Sequence, residues 1–504
     1  MRRVLLIFAG IAVLTWFQFE FFPGHTYLQS DTQVYVPILE KLDSPGLLSR
    51  DLVATHPNLT YTIYDEITLF LHAAFRLSIE NALLAQQIVF RGAGLLGIFL
   101  LVESAGLSAR LSLLVAAIIN SGAFLSGPDI PLIDPEPTPR AFALGLIILA
   151  IGLFAKEKPL QAGLTGGLAF VYDPRVAAPV WLVIFGIAIF DRSLRRLIRP
   201  SLTIFAIFVL LLANLAQLQP GAPDSRSLFE TLAAPIARIE RYRTSYVWVS
   251  SWAASQFPKY LLLALIGFLA ARRVWPALNR QTRWFFAALP LIGILSVPAS
   301  YLLLERLRWY PIPQIKPAQA LSFTVLFASV ACAIAGLRAA KARRWAEALP
   351  LIAVFILIPF TALHHRDRND PDATLPLAQW AAQNTWGGSM FLFPDAGRER
   401  YPGLFRALSR RAVWVDWETG KQMDFFDTFA DEWSRRWRDS MEGVYSEARL
   451  QRLLSLPIDY YVLTRIHAWN GATPVFATDK FVVYEAQTLK NLSPAPAPAV
   501  TRGD

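Results

Sequence analysis

The chain has 504 residues, 54% of them hydrophobic and only 17% charged. Soluble domains carry about a quarter charged residues, so a purely water-facing fold is excluded. The net charge of +10 does not point to nucleic acid, because Lys and Arg cluster between apolar runs, where membrane orientation calls for them. The composition reads as an α-helical multipass membrane protein.

The single cysteine, Cys332, lies in an apolar run (SFTVLFASVACAIAG). No intramolecular disulfide can form, so any exported part folds without one. Met1-Arg2-Arg3 precedes the first apolar run, which continues to Phe22 through Trp16, Phe17, Phe19 and Phe21 with no small-residue cleavage site. This is a signal anchor with an aromatic belt at its outer end, spanning 4–22.

A long polar stretch follows, from Gln29 to Glu66, carrying Asp31, Asp51, His56, Asp65 and Glu66. Within it, Val34, Ile38 and Leu42 recur at helical spacing, with Pro37 between them. That pattern predicts a short helix over 31–43 lying in the membrane interface. Residues 59–77 are apolar but interrupted by Asp65, Glu66, His72 and Arg76. A charge at mid-bilayer costs about 2.5–3.5 kcal/mol, so this segment is read as a second juxtamembrane helix.

Further spans are predicted at 81–102, 109–127, 139–155, 159–172, 176–190, 201–217, 256–271, 284–304, 318–336 and 347–363. With the first, that makes about eleven, N-terminus inside and C-terminus outside. The connections 191–200, 271–283 and 337–347 are rich in Lys and Arg, whereas 128–138 and 173–175 are not. This alternation follows the positive-inside rule. The short spans 159–172 and 176–190 are expected to be tilted or broken around Tyr172-Asp173-Pro174-Arg175.

Beyond the last span the composition turns polar. GSMFLFPD, AVWVDW, DYYVLTR and KFVVYEA read as short buried strands. DFFDTFADEWSRRWRDSMEG and SEARLQRLLSL read as amphipathic helices. The division is thus a membrane domain over 1–363, with a first outer loop at 23–80, then a small extracytoplasmic α/β domain over 364–487. The Pro- and Ala-rich tail 488–504 is expected to be disordered.

Three groups of residues could carry chemistry. Asp31 falls just past the outer end of the first span, where a carboxylate can act as a general base on a hydroxyl or ligate a metal. The competing reading is an N-cap, with Ser30 or Asp31 starting the helix that follows. Second, the loop Gly127–Arg140 packs three acids and five prolines into fourteen residues. Prolines stiffen it, so Asp134 and Glu136 can be aimed at one point, or can simply be solvated on a rigid connector. Arg140 is placed to pair with one of them. Third, Arg175, Arg306, Arg308 and Lys316 lie at outer headgroup height, with Arg238, Arg241 and Arg243 in a long outer loop. They suit phosphate oxygens, or ordinary snorkelling at the interface. His364-His365-Arg366-Asp367-Arg368 lacks the third, correctly spaced ligand of a zinc site. No P-loop, dinucleotide fingerprint, HExxH or nucleophile elbow is present.

In its order of elements the chain resembles the GT-C superfamily of integral-membrane glycosyltransferases, which includes protein mannosyltransferases, the oligosaccharyltransferase catalytic subunit and aminoarabinose transferases. One span leads into a long first outer loop with an early acid. Asp31-Thr32-Gln33-Val34-Tyr35 resembles the family's acidic segment, with Thr32 where a second acid would stand. Two juxtamembrane helices, a second acidic loop with Asp134 and Glu136, and an outer C-terminal domain complete the likeness.

The resemblance implies a polyprenyl-phosphate-linked sugar donor and a lipid, glycan or protein acceptor on the outer face, with membrane lipids around the protein. Asp31 would be the general base in an inverting displacement, with Asp134 and Glu136 as further catalytic acids. Arg308, Lys316, Arg306 and Arg175 would hold the donor phosphate, and Tyr35, His56 and Arg140 the substrate. No cofactor is fixed. A divalent cation and the metal ligands stay open, because the lone acid at 31 departs from the family pattern. The expected location is a bacterial inner (plasma) membrane. Two alternatives also stay open. One is a transporter or flippase for a lipid-linked or amphipathic substrate. The other is a non-catalytic membrane protein whose outer domain binds a partner.

Overall fold

The computed structural model describes residues 2–59, 61–218, 230–362, 371–425 and 427–492. In chain order the helices are α1 (Arg2–Glu20), α2 (Thr32–Asp43), α3 (Tyr64–Phe75), α4 (Ile79–Ser104) and α5 (Ala109–Asn120), then the ribbon β1 (Phe124–Leu125) and β2 (Ile130–Pro131). Next come α6 (Pro139–Ala155), α7 (Pro159–Tyr172), α8 (Pro174–Phe190), α9 (Arg192–Leu218), α10 (Ala234–Arg243), α11 (Gln256–Val274), α12 (Arg280–Ser300), α13 (Ile312–Ile315), α14 (Leu321–Lys341) and α15 (Trp345–Phe360). The remainder is α16 (Pro371–Asn384), β3 (Met390–Leu392), α17 (Tyr401–Ser409), β4 (Ala412–Val413), α18 (Asp427–Ser440), α19 (Glu447–Leu453), β5 (Tyr460–Thr464), β6 (Phe476–Ala477), β7 (Phe481–Glu485) and α20 (Ala486–Leu492). The His364–Arg368 cluster and all but the first five residues of the 488–504 tail lie outside the described residues.

The chain groups into two units, Met1–Tyr27 with Asn58–Asp367, and Leu28–Pro57 with Arg368–Asp504. The sequence division kept the whole first outer loop, 23–80, with the membrane part. Here its middle, Leu28–Pro57, belongs with the C-terminal unit.

In the first unit, six helices among the described residues are long and apolar enough to cross a membrane: Arg3–Glu20, Ile79–Ser104, Arg192–Leu218, Gln256–Ala277, Arg280–Arg306 and Ile312–Lys341. Their outer faces carry large exposed apolar side chains such as Leu6, Val89, Leu210 and Phe268, a surface that only lipid solvates without penalty. The other five expected spans are shorter helices, α5, α6, α7, α8 and α15. The span expected at 109–127 ends at Asn120. Gly122 there takes φ +89 and its N–H returns to Ile119, closing the helix, and the chain runs into the β1–β2 ribbon. The helix expected at 59–77 is α3, with twelve residues. At 1.5 Å per residue it is about 18 Å long, short of a bilayer core of about 30 Å. The break expected near 172–175 is present. Asp173 caps α8 by accepting from the Arg175 N–H, and Pro174 stands at its first position.

Close packing in this unit depends on small residues, as it does for membrane helices, where apolar contact alone gives helices little reason to associate. Between α4 and α6 the backbones touch: a Cβ at Gly97 would collide with the Ile148 carbonyl, and one at Gly152 with that of Gly97. The Ala- and Ser-rich α14 is buried along nearly its whole length and packs against α11, α12 and α15.

In the second unit, five strands form a sheet in the order β4-β3-β5-β7-β6. β3 pairs parallel with β4 and β5, and β5 pairs antiparallel with β7. All four strands read from the sequence are in this sheet, and α18 and α19 fall within the two stretches read as amphipathic helices. α20 runs to Leu492, past the expected boundary at 487. Of the apolar face expected on α2, Val34 and Ile38 are buried and Leu42 is partly buried, because the helix packs on α17 in the same unit. Gly403 of α17 leaves no room for a side chain beneath Gln33.

Candidate active site

Asp31 sits at the N-cap position of α2, but its side chain makes no capping hydrogen bond. Instead its Oδ1 accepts from Lys421 Nζ at 2.7 Å. The same ammonium lies 2.8 Å from Glu418 Oε2 and also bonds Ser30 Oγ, and Ser30 Oγ donates to Glu418 at 3.2 Å. Arg400 approaches Glu418 at 3.6 Å. Glu418 and Lys421 come from the helical turn Glu418–Asp424, which follows β4. Glu418 is buried, while Asp31 keeps 47% of its side chain exposed. The arrangement is an accessible carboxylate fixed on one side by a cation, itself held by a buried acid. A general base requires a carboxylate that an acceptor hydroxyl can reach, and this one is reachable.

Behind it lies a buried ionic cluster. Arg406 donates to Asp416 at 2.6 Å and stands 3.8 Å from Asp51, all three almost wholly buried. Asp51 accepts from the N–H groups of Val53, Ala54 and Val413. It therefore ties the first outer loop to β4. His56 turns inward, with Nδ1 on the Leu52 carbonyl at 2.8 Å and its ring edge-on to Phe429. Tyr35 lies on α2, four residues from Asp31, and is partly buried.

The second acidic loop, in the first unit, is braced from within. Asp134 Oδ1 accepts from the Glu136 N–H at 3.1 Å, and Oδ2 accepts from Thr138 and Arg140 at 3.2 and 3.3 Å. Thr138 in turn caps α6. Arg91 donates to the carbonyls of Asp134 and Gly24, and Gln87 to that of Pro135. Glu136 is 5% exposed and Asp134 keeps 12% of its side chain exposed. Arg140 pairs with Asp134 as expected, and that pairing gives both residues a local duty.

The cations group into a shelf in the first unit. α12 runs on as a wide-turned helix, Tyr301–Arg306. The chain after it pairs with the start of the long outer loop, Thr231 opposite Trp309. Arg306 lies over the Tyr301 ring, Lys316 over Tyr246, and Arg241 over Trp248. Val249, Trp252 and Ala318 form a small core beneath, with Tyr301 packed against it. Arg308 is exposed, and while its carbonyl accepts from the Leu232 N–H, its guanidinium makes no hydrogen bond or ion pair among the described residues. Gly127 of the acidic loop lies against the face of Trp252, where a Cβ would not fit, so that loop and the shelf adjoin. Arg175 is different, since both arms of its guanidinium are on Asp173. Arg238 and Arg243 are on α10.

Sequence reasoning missed Lys421 as the partner of Asp31, and Glu418 and Ser30 as partners of that lysine. The only local signal was the acid and lysine three residues apart just after a strand, and nothing nearby linked them to a residue some 390 positions earlier. For a metal, the donor set at Asp31 does not fit. The place a divalent cation would take beside the carboxylate is occupied by the Lys421 ammonium. Among the described residues, no group of three or more His, Cys, Asp or Glu is arranged to hold one.

No family model matches the sequence, and no curated protein matches it. Solved structures do resemble it. The crystal structure of ArnT from Cupriavidus metallidurans in the apo state is 14% identical, with a TM-score of 0.43, and the match covers 96% of this chain and 97% of that one. The same protein bound to undecaprenyl phosphate is also 14% identical, at a TM-score of 0.42, over 95% and 97% of the two chains. The cryo-EM structure of the arabinofuranosyltransferase AftD from Mycobacteria is 15% identical, at 0.44, over 96% of this chain and 41% of that one. At these scores the likeness assigns this chain neither a family nor an activity.

Proposed function

We propose that the chain is a membrane glycosyltransferase of the GT-C type that moves a sugar from a polyprenyl-phosphate donor to an acceptor hydroxyl on the outer face. The observation that carries this reading is the state of Asp31. Of the three acids that the order of the chain singles out, it alone keeps nearly half of its side chain exposed while paired with a cation. Asp31 takes the acceptor proton as the acceptor oxygen attacks the anomeric carbon. The bond from that carbon to the phosphate oxygen breaks on the opposite side, and the configuration inverts. The polyprenyl phosphate leaves as an anion, and Arg308, Lys316 and Arg306 are the groups we assign to its charge. Lys421 positions Asp31, Glu418 positions Lys421, and Asp134, Glu136 and Arg140 hold the second loop in shape.

The test is a product analysis with the full chain reconstituted in vesicles together with polyprenyl-phosphate sugars and acceptor candidates. The proposal expects free polyprenyl phosphate and a glycosylated acceptor of inverted configuration. Movement of intact donor between leaflets, with no free polyprenyl phosphate formed, would replace it with the flippase reading.

A further inference from the structure

At the other end of the α11–α12 pair from the cation shelf, a cleft of about 570 Å³ opens between α11 and α15. Both helices pack on the buried α14. The cleft walls are Ile266, Leu269 and Ala270 on one side and Leu351 and Val354 on the other, and Arg272 and Arg273 stand at its mouth. From Ile266 to Arg273 the helix rises about 10 Å, so the cleft is apolar at depth and cationic at one end only.

That end carries the marks of a membrane–water boundary. Trp275 and Trp345 are large exposed aromatics there, and tryptophan collects at headgroup height. The surrounding charges are mostly positive. Arg273 and Arg344 lie 3.7 and 3.6 Å from Glu347, so one acid is shared between two guanidinium groups. Arg272 is exposed, and its guanidinium makes no hydrogen bond or ion pair among the described residues. The basic connection 271–283 belongs to the side the positive-inside rule assigns to the cytoplasm.

From this we infer that the cleft between α11 and α15 binds an anionic phospholipid of the inner leaflet, with an acyl chain against Ile266, Leu269, Leu351 and Val354 and its phosphate at Arg272 and Arg273. An apolar slot alone accepts any lipid. The cations at its mouth supply selectivity, since each Arg near the surface favours an anionic headgroup. The inference rests on the helices crossing a membrane and not on glycosyl transfer, so either proposal can fail without the other.

The experiment is native mass spectrometry of the delipidated full chain in detergent. Phosphatidylglycerol and phosphatidylcholine with the same acyl chains are titrated separately. Phosphatidylglycerol is expected to bind at least about tenfold more tightly. The double substitution Arg272→Gln/Arg273→Gln should erase that preference while leaving weak binding of both lipids. Val354→Phe, which fills the slot and keeps both arginines, should weaken both lipids. Millimolar inorganic phosphate should not displace the lipid. Equal affinity for the two lipids in the wild-type chain would overturn the inference. So would an unchanged preference in the double variant, or displacement by phosphate, which would mark a plain anion site.

Discussion

Two acidic loops of similar sequence character behave in opposite ways. The loop around Asp134 and Glu136 satisfies the Asp134 carboxylate from within fourteen residues, through the Glu136 N–H, Thr138 and Arg140. Asp31 finds its partner in Lys421. Loop acids with local donors become part of the scaffold. Asp31, pinned by a remote cation, keeps nearly half of its side chain exposed and so stays open to a substrate. An acid's role is therefore set less by its neighbours in sequence than by where its counter-charge comes from.

The largest effect expected away from the chemistry is at the cluster behind Asp31. Arg406→Ala leaves Asp416 buried and unpaired and should cost about 3–5 kcal/mol, read by urea unfolding in detergent. A cost below about 1 kcal/mol would mean that the first outer loop is not anchored to β4 through these charges.

Next comes Glu40 of α2. Burial, the main cause, and the nearby Asp43 charge push its carboxyl up to about 7, against the opposing effect of Arg410, which donates to it at 2.9 Å. Because the folded value is raised, the contribution to stability is present below about 4.5 and lost as pH rises toward 7. Glu40→Gln should therefore gain stability relative to the parent chain across that window, by about 2–3 kcal/mol. A gap independent of pH would contradict the burial of α2 against α17.

A smaller effect is expected at the shelf. Arg308→Ala should raise KM for the lipid-linked donor about tenfold, consistent with the loss of one charge-assisted contact. Arg175→Ala should leave KM nearly unchanged, because Asp173 already takes its guanidinium. A reversed order would move the donor phosphate away from the shelf.

Much of the fold was legible because hydrophobic runs are local. Strands such as YYVLT and the helix α6, which occupies 139–155 as expected, are written in consecutive residues. The apolar face of α2 was legible too, but not what covers it, since an interfacial helix and a buried one carry the same periodicity. The early end of α5 turned on a single glycine. At the candidate site Asp31 and the Asp134–Arg140 pair could be named. Lys421 and Glu418 could not, because the contact joins segments nearly the whole chain apart.

The most direct measurement compares Asp31→Asn with Asp134→Asn under saturating donor, following release of polyprenyl phosphate from the reconstituted chain. Asp31→Asn is expected to lower the turnover rate by about 10²–10⁴, the range of a lost general base, while Asp134→Asn stays within about tenfold of the parent. Full turnover in Asp31→Asn, or an equal collapse in both variants, would contradict the account.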